Sequence, residues 1–134
     1  KDTTGFSSQY GWVHAFAHGG DLLTEVICHP RFPKSDIAEA FEIIGKIFKR
    51  VEIRFTNDED WRLARAFYEP ILRGKIEPSL LTAWLQTVEF PLKEANDFHK
   101  FSNFRSCLLE IYLQLDCHNL LQDDLKKIIQ SFYY

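Results

Sequence analysis

Ile37, Phe41, Ile44, Phe48 and Val51 recur at alternating steps of four and three. That spacing returns each side chain to one side of a 3.6-residue helix, whereas it would split them between both faces of a strand. Glu39, Glu42, Lys46 and Lys49 fill the remaining faces, and Ser35 is placed to cap the start. A helix with a single apolar stripe draws its stability from burying that stripe against other elements. The remainder of the chain therefore has to supply such elements.

It does so in the same form. Residues 12–29 read as a helix with Trp12, Phe16, Leu23 and Ile27 on one stripe, Ala15 and Val26 beside it, and Pro30 and Pro33 stopping it. Residues 52–56 read as extended or irregular. Asn57 opens a third helix with Asp58, Glu59 and Asp60 in its first turn, where acidic groups complement the partial positive charge of a helix start. Asp58 and Arg62 are spaced there to pair. Trp61, Ala64, Phe67 or Tyr68, and Ile71 continue its apolar face, with Pro70 expected to kink or shorten it and Gly74 to cap it. Pro78 and Ser79 start a fourth helix that turns Leu81, Trp84, Leu85 and Val88 inward and ends by Pro91. Phe101, Phe104, Leu108, Ile111 and Leu115 mark a fifth, and Leu125, Ile128 and Phe132 mark a sixth from about residue 121.

No strand-like alternation persists long enough to compete, so the fold class is all-α. Taken in pairs, the helices begin near Gly11, Asn57 and Phe98, intervals of 46 and 41 residues. HEAT and armadillo repeats run at about 40–47 residues. No side-chain signature recurs between the pairs. Two architectures therefore stand open, a right-handed array of stacked helix pairs and an irregular bundle of about six helices.

The 134 residues suit a single helical domain with a sizeable core, and 15% aromatic with 26% charged residues excludes a disordered chain. A net charge of −3, with Lys and Arg scattered in twos and threes, gives no basic surface for nucleic acid. No apolar run approaches the roughly eighteen residues of a membrane span, and residues 1–10 hold no apolar signal-peptide core. Three cysteines without a C-x-x-C pair argue against a disulfide scaffold or a zinc knuckle. They read as buried small residues in a reducing compartment, which makes the cytoplasm the simple location. The absence of methionine, the initiator included, makes Lys1 read as lying downstream of the start of translation. Phe98 and the terminal Phe132-Tyr133-Tyr134 would then mark a contact surface, for a partner or for an upstream region of the same chain.

One segment, residues 11–23, carries candidate chemistry. On a helix, His14, His18, Asp21 and Glu25 fall in a sector about 60° wide, opposite the Trp12/Phe16/Leu23/Ile27 stripe. Two imidazoles four residues apart can hold a divalent metal, with Asp21 one turn on to complete or orient the set. The same residues equally form a polar face used for binding, or a merely solvated one. The H-E-x-x-H pattern of zinc peptidases is absent, because residue 15 is Ala. Gly19 and Gly20 lie inside this helix, where glycine costs about 1 kcal/mol relative to alanine. Close approach of another backbone or of a ligand, or a break in the helix, would explain them. Cys28-His29 and Cys117-His118 are sequence neighbours that a helix turns apart, and His99 is isolated.

The run Gly11-Trp12-Val13-His14-Ala15-Phe16-Ala17-His18-Gly19-Gly20-Asp21-Leu22-Leu23 resembles the hallmark of a bacterial family of uncharacterised, all-helical proteins. In that family a G-W-[AV]-H-A-x-A-H-G-[AG]-D-L segment precedes an acidic E-D-x-R-L-A segment, matched here by Glu59-Asp60-Trp61-Arg62-Leu63-Ala64. Gly20 stands where the family more often has Ala, and nothing diagnostic follows about Gly74. The resemblance implies a longer helical protein with a further helical region upstream, of which this chain is the C-terminal portion, and brings no activity with it. It draws attention to His14, His18 and Asp21, with Asp60 and Arg62 as their partners if the third helix packs beside the first, and Trp12 as a core anchor.

Two functions follow as expectations. The first is a binding or scaffold module, for a protein or small-molecule ligand, with a polar site at His14, His18, Asp21, Glu25, Asp60 and Arg62. The second is a metal-dependent hydrolase or lyase, in which His14, His18 and Asp21 hold a divalent ion that activates water. That set needs a further ligand from elsewhere, such as Glu59 or Asp60.

Overall fold

The structure, a computed structural model, describes the backbone of residues 6–7, 11–12 and 15–134 and the side chains from residue 18 onward. The most regular stripe makes the helix it predicts. Helix α2 (Ile37–Arg50) buries Ile37, Phe41, Ile44 and Phe48 completely, and Val51 follows as its extended C-cap. Its start differs from expectation. Pro33, with φ fixed at −64°, leads into a 3-10 turn (Lys34–Asp36), so Ser35 lies inside that turn and Asp36 becomes the N-cap.

Helix α1 (Ala15–Cys28) begins later than the periodicity suggests. Residues 11 and 12 form a short strand β2 (Gly11–Trp12), antiparallel to β1 (Phe6–Ser7), with Phe6 opposite Trp12. Trp12 is therefore off the helix stripe, and its side chain, like that of Phe16, lies outside the described residues. Apart from this two-residue pair, the regular structure among the described residues is helical, and the all-α class holds.

Asp58 precedes helix α3 (Glu59–Leu72) in the left-handed region at φ 63°, a conformation aspartate tolerates better than most residues. Its carbonyl accepts the Arg62 N–H at 3.1 Å. Pro70 sits in the last turn without ending the helix. Gly74 at φ 76° then reverses the chain, and the Lys75 and Ile76 N–H groups both reach the Pro70 carbonyl. Trp61 departs from the expected inward face and is 53% exposed. It stands about 100° around the helix from Asp60, and the buried face is centred on Asp60, Leu63, Ala64, Phe67 and Ile71.

Helix α4 (Pro78–Leu85) starts at proline as predicted but stops well before Pro91, where Thr87 Oγ1 donates to the Trp84 carbonyl at 2.7 Å. Val88 packs on the core from the loop beyond. Asp97 closes a capping box with Glu94 and accepts the Lys93 and Glu94 N–H groups at 2.9 Å each, which places the start of α5 (Ala95–Cys117). Helix α6 (Asp123–Ser131) buries Leu125 and Ile129.

Helix α3 packs between α1 and α5, and α4 packs between α2 and α6, while α2 also contacts α5. The core sits between these two rows. Its centre is aromatic, with Trp84 stacked on Phe67 at 5.1 Å between ring centroids and also meeting Phe41 and Phe104. Only Cys107 among the cysteines is buried; Cys28 is half-buried and Cys117 is exposed, because both lie at helix C-termini. No helix among the described residues is long and apolar enough to cross a membrane.

Candidate functional site

The seam between α1 and α3 brings together Asp21, Glu25 and Arg62 of the predicted residues. Gly20 explains why the two helices come so close. A Cβ built there would lie 3.1 Å from the backbone C and O of Arg62 and from the N of Leu63. Close backbone approach is thus the role of Gly20. Gly19 has nothing within 4 Å, so that reason does not extend to it. Thr24 and Ile27 complete the buried face of α1, and Thr24 Oγ1 donates to the Gly20 carbonyl at 2.8 Å. Val26, expected beside the inward stripe, is instead 44% exposed. It lies roughly 120° around the helix from Gly20.

Along one edge of this seam runs a ladder of charges. Asp21 accepts from Arg65 at 2.9 Å and from Arg62 at 3.4 Å. Glu25 meets Arg73 at 3.2 Å and Arg65 at 3.8 Å, and Arg73 also binds Glu69 at 2.8 Å. At the far end, Lys75 Nζ donates to the carbonyls of Ile27 and His29, each at 2.7 Å, closing the C-terminus of α1. The hydrogen bond from Arg73 holds the Glu25 carboxyl below the usual carboxylate range. Most of these side chains are open to solvent, which screens their charges, so the pairs add little to stability. The ladder fixes the register of α1 on α3 more than it stabilises the fold.

The expected constellation is only partly assembled. Arg62 and Asp21 meet as anticipated, so Arg62 is taken by α1 rather than by Asp58. Glu25 belongs to the same ladder. His18 is exposed on α1, and His14 lies outside the described residues. Asp60 is buried at the start of α3. Its Oδ1 accepts the Trp61 N–H at 3.0 Å, and its charge acts on the buried Cys107 of α5. Burial raises the Asp60 carboxyl above the usual range, against the pull of the Trp61 N–H and of Arg54.

Among the described residues, no three His, Cys, Asp or Glu side chains stand close enough to hold a metal ion. Asp21 uses both carboxylate oxygens on arginines. Burial also pushes the Cys28 and Cys107 thiols up, so neither is a thiolate ligand or nucleophile at neutral pH. The chemistry the described seam supports is charge pairing and hydrogen bonding.

Arg65, Arg73 and Lys75 were not singled out from the sequence. Arg62, Arg65, Glu69 and Arg73 nevertheless recur at steps of three and four, which is the signal of a charged face aimed at a neighbour. Asn103 was missed as well. Fully buried on α5, it accepts the Phe55 N–H at 2.9 Å and Arg54 at 2.7 Å, and donates to the Ile53 carbonyl at 2.8 Å. A lone asparagine in a helix offers no spacing pattern from which to foresee this.

Residues 1–113 match a family model described as a protein of unknown function, DUF2785. The match spans both halves of the α1/α3 seam and ends within α5. No curated protein and no solved structure matches the chain.

Proposed function

The chain belongs to the DUF2785 family, and we propose that it acts as a helical-repeat binding or scaffold module whose contact face includes His14, His18 and Asp21. The observation that carries this reading is the packing order, with α3 between α1 and α5 and α4 between α2 and α6. Two rows of this kind also occur where helix pairs stack, and such stacks serve as extended binding surfaces. The charge ladder supports the same reading. It spends the carboxylates of Asp21 and Glu25 on orienting α1, which suits a rigid recognition face better than a metal cage. A cytoplasmic setting fits the three free thiols.

Thermal unfolding of the full chain with and without zinc or manganese separates this reading from a metal-dependent hydrolase or lyase. A binding module keeps one unfolding midpoint with and without the ion. An ion held at 100 times its dissociation constant would add about 2.7 kcal/mol, equivalent to roughly 10 °C at this chain length. A rise of that kind, lost in both His14→Ala and His18→Ala, would overturn the proposal.

A further inference from the structure

At the end of α1 remote from His18, a cleft of about 420 Å³ opens beside the turn into α2. Val26, Phe32 and Pro33 form its apolar floor, and Glu25, His29 and Arg31 supply its polar rim. The Glu25 carboxylate is directed to Arg73 and Arg65, so it leaves the rim without a free negative charge. His29 Nδ1 accepts the Arg31 backbone N–H at 3.1 Å, which puts the ring proton on Nε2 as a donor. The Arg31 guanidinium has no hydrogen bond or ion pair among the described residues.

The walls are held in place. The Phe32 N–H binds the His29 carbonyl at 2.9 Å, and Lys75 Nζ lies 5.4 Å from the Phe32 ring centroid. By taking the Ile27 and His29 carbonyls, Lys75 also offsets the negative end of α1 that would otherwise repel an anion. The cleft thus joins an uncompensated cation and an N–H donor to an apolar floor.

We propose that this cleft binds a carboxylate carried on an apolar group, the carboxylate meeting Arg31 and His29 and the hydrocarbon lying on Val26, Phe32 and Pro33. The group could be a fatty acid or the C-terminal residue of a peptide, and the test distinguishes them. Titrations of the full chain, followed by two-dimensional NMR, would use octanoate, octanol, and acetyl-Gly-Gly-Leu as free acid and as amide. At least one carboxylate is expected to saturate shifts at Val26, His29, Arg31 and Phe32. Saturation by octanoate alone assigns a free acid, and saturation by the tripeptide acid assigns a peptide terminus. Its uncharged counterpart should bind about tenfold more weakly, and Arg31→Gln should lose a similar factor at an unchanged unfolding midpoint. Val26→Asp should weaken binding too, by placing a negative charge on the floor. Failure of both carboxylates to saturate by about 10 mM, equal binding of the uncharged probes, or an unaffected Arg31→Gln variant would each overturn the proposal.

Discussion

Gly45 on α2 has no room for a side chain. A Cβ there would lie 2.8 Å from Trp84 Cζ2 and 3.3 Å from Cη2, against an optimal carbon separation of roughly 3.5–4.0 Å. The indole has little freedom to retreat. It is stacked on Phe67, flanked by Phe41 and Phe104, and its Nε1–H donates to Glu42 at 2.9 Å. Overpacking of a filled core costs about 1–3 kcal/mol, and the pinned ring places Gly45→Ala in the upper part of that range. Replacing a helical glycine by alanine returns about 1 kcal/mol. The net expectation is a loss of about 1–2 kcal/mol. In a Trp84→Phe background the ring that fills the space is gone, and the same Gly45→Ala change should become neutral or stabilising. Equilibrium urea unfolding of the four proteins measures the coupling, expected at about 2 kcal/mol. Gly45→Ala matching or exceeding wild-type stability, or a coupling under about 0.5 kcal/mol, would refute the steric argument.

Three further outcomes follow. Gly19→Ala should stabilise by about 0.5–1 kcal/mol, whereas Gly20→Ala, against the α3 backbone, should fall at least about 1 kcal/mol below it; calorimetric midpoints that rank them the other way contradict the close-approach reading. Asn103→Leu should lose about 2–4 kcal/mol, because Phe55 N–H and the Ile53 carbonyl each lose a partner, and hydrogen exchange at the Phe55 amide should speed up. Arg54→Ala, which removes only the exposed partner, should cost under about 1 kcal/mol, and a larger loss there would shift the weight away from Asn103.

The last concerns pH. Burial raises the folded-state pKa of Asp60 above its unfolded value, so the folded chain holds that proton more tightly. Between the two values this residue's contribution to stability falls as pH rises, and above the folded value its full penalty is present. Asp60→Asn, which keeps an oxygen for the Trp61 N–H, should therefore be at least as stable as wild type at pH 7. Its advantage should vanish below the ordinary carboxylate range, and a variant clearly weaker at pH 7 would count against a buried, unneutralised charge.

The α2 stripe was legible in full, since Ile37, Phe41, Ile44 and Phe48 are all buried. Gly20 was legible as a question whose answer needed α3 beside it. Trp61 and Val26 were misread, because apolar character says little about burial at the edge of a helix face. Asp60 was legible as a candidate partner in the sequence, but that its charge acts on Cys107 depends on which side of α3 meets α5.

Local chemistry determined the helices, their caps and their apolar stripes, because each depends on neighbours within about one or two turns. Tertiary structure alone decided that α1 lies against α3, so that Asp21 meets arginines more than forty residues away and Lys75 closes the end of α1. Periodicity records which face of a helix is apolar. It carries no label for the helix that will cover that face, and the partners of every charge along the seam follow from that choice.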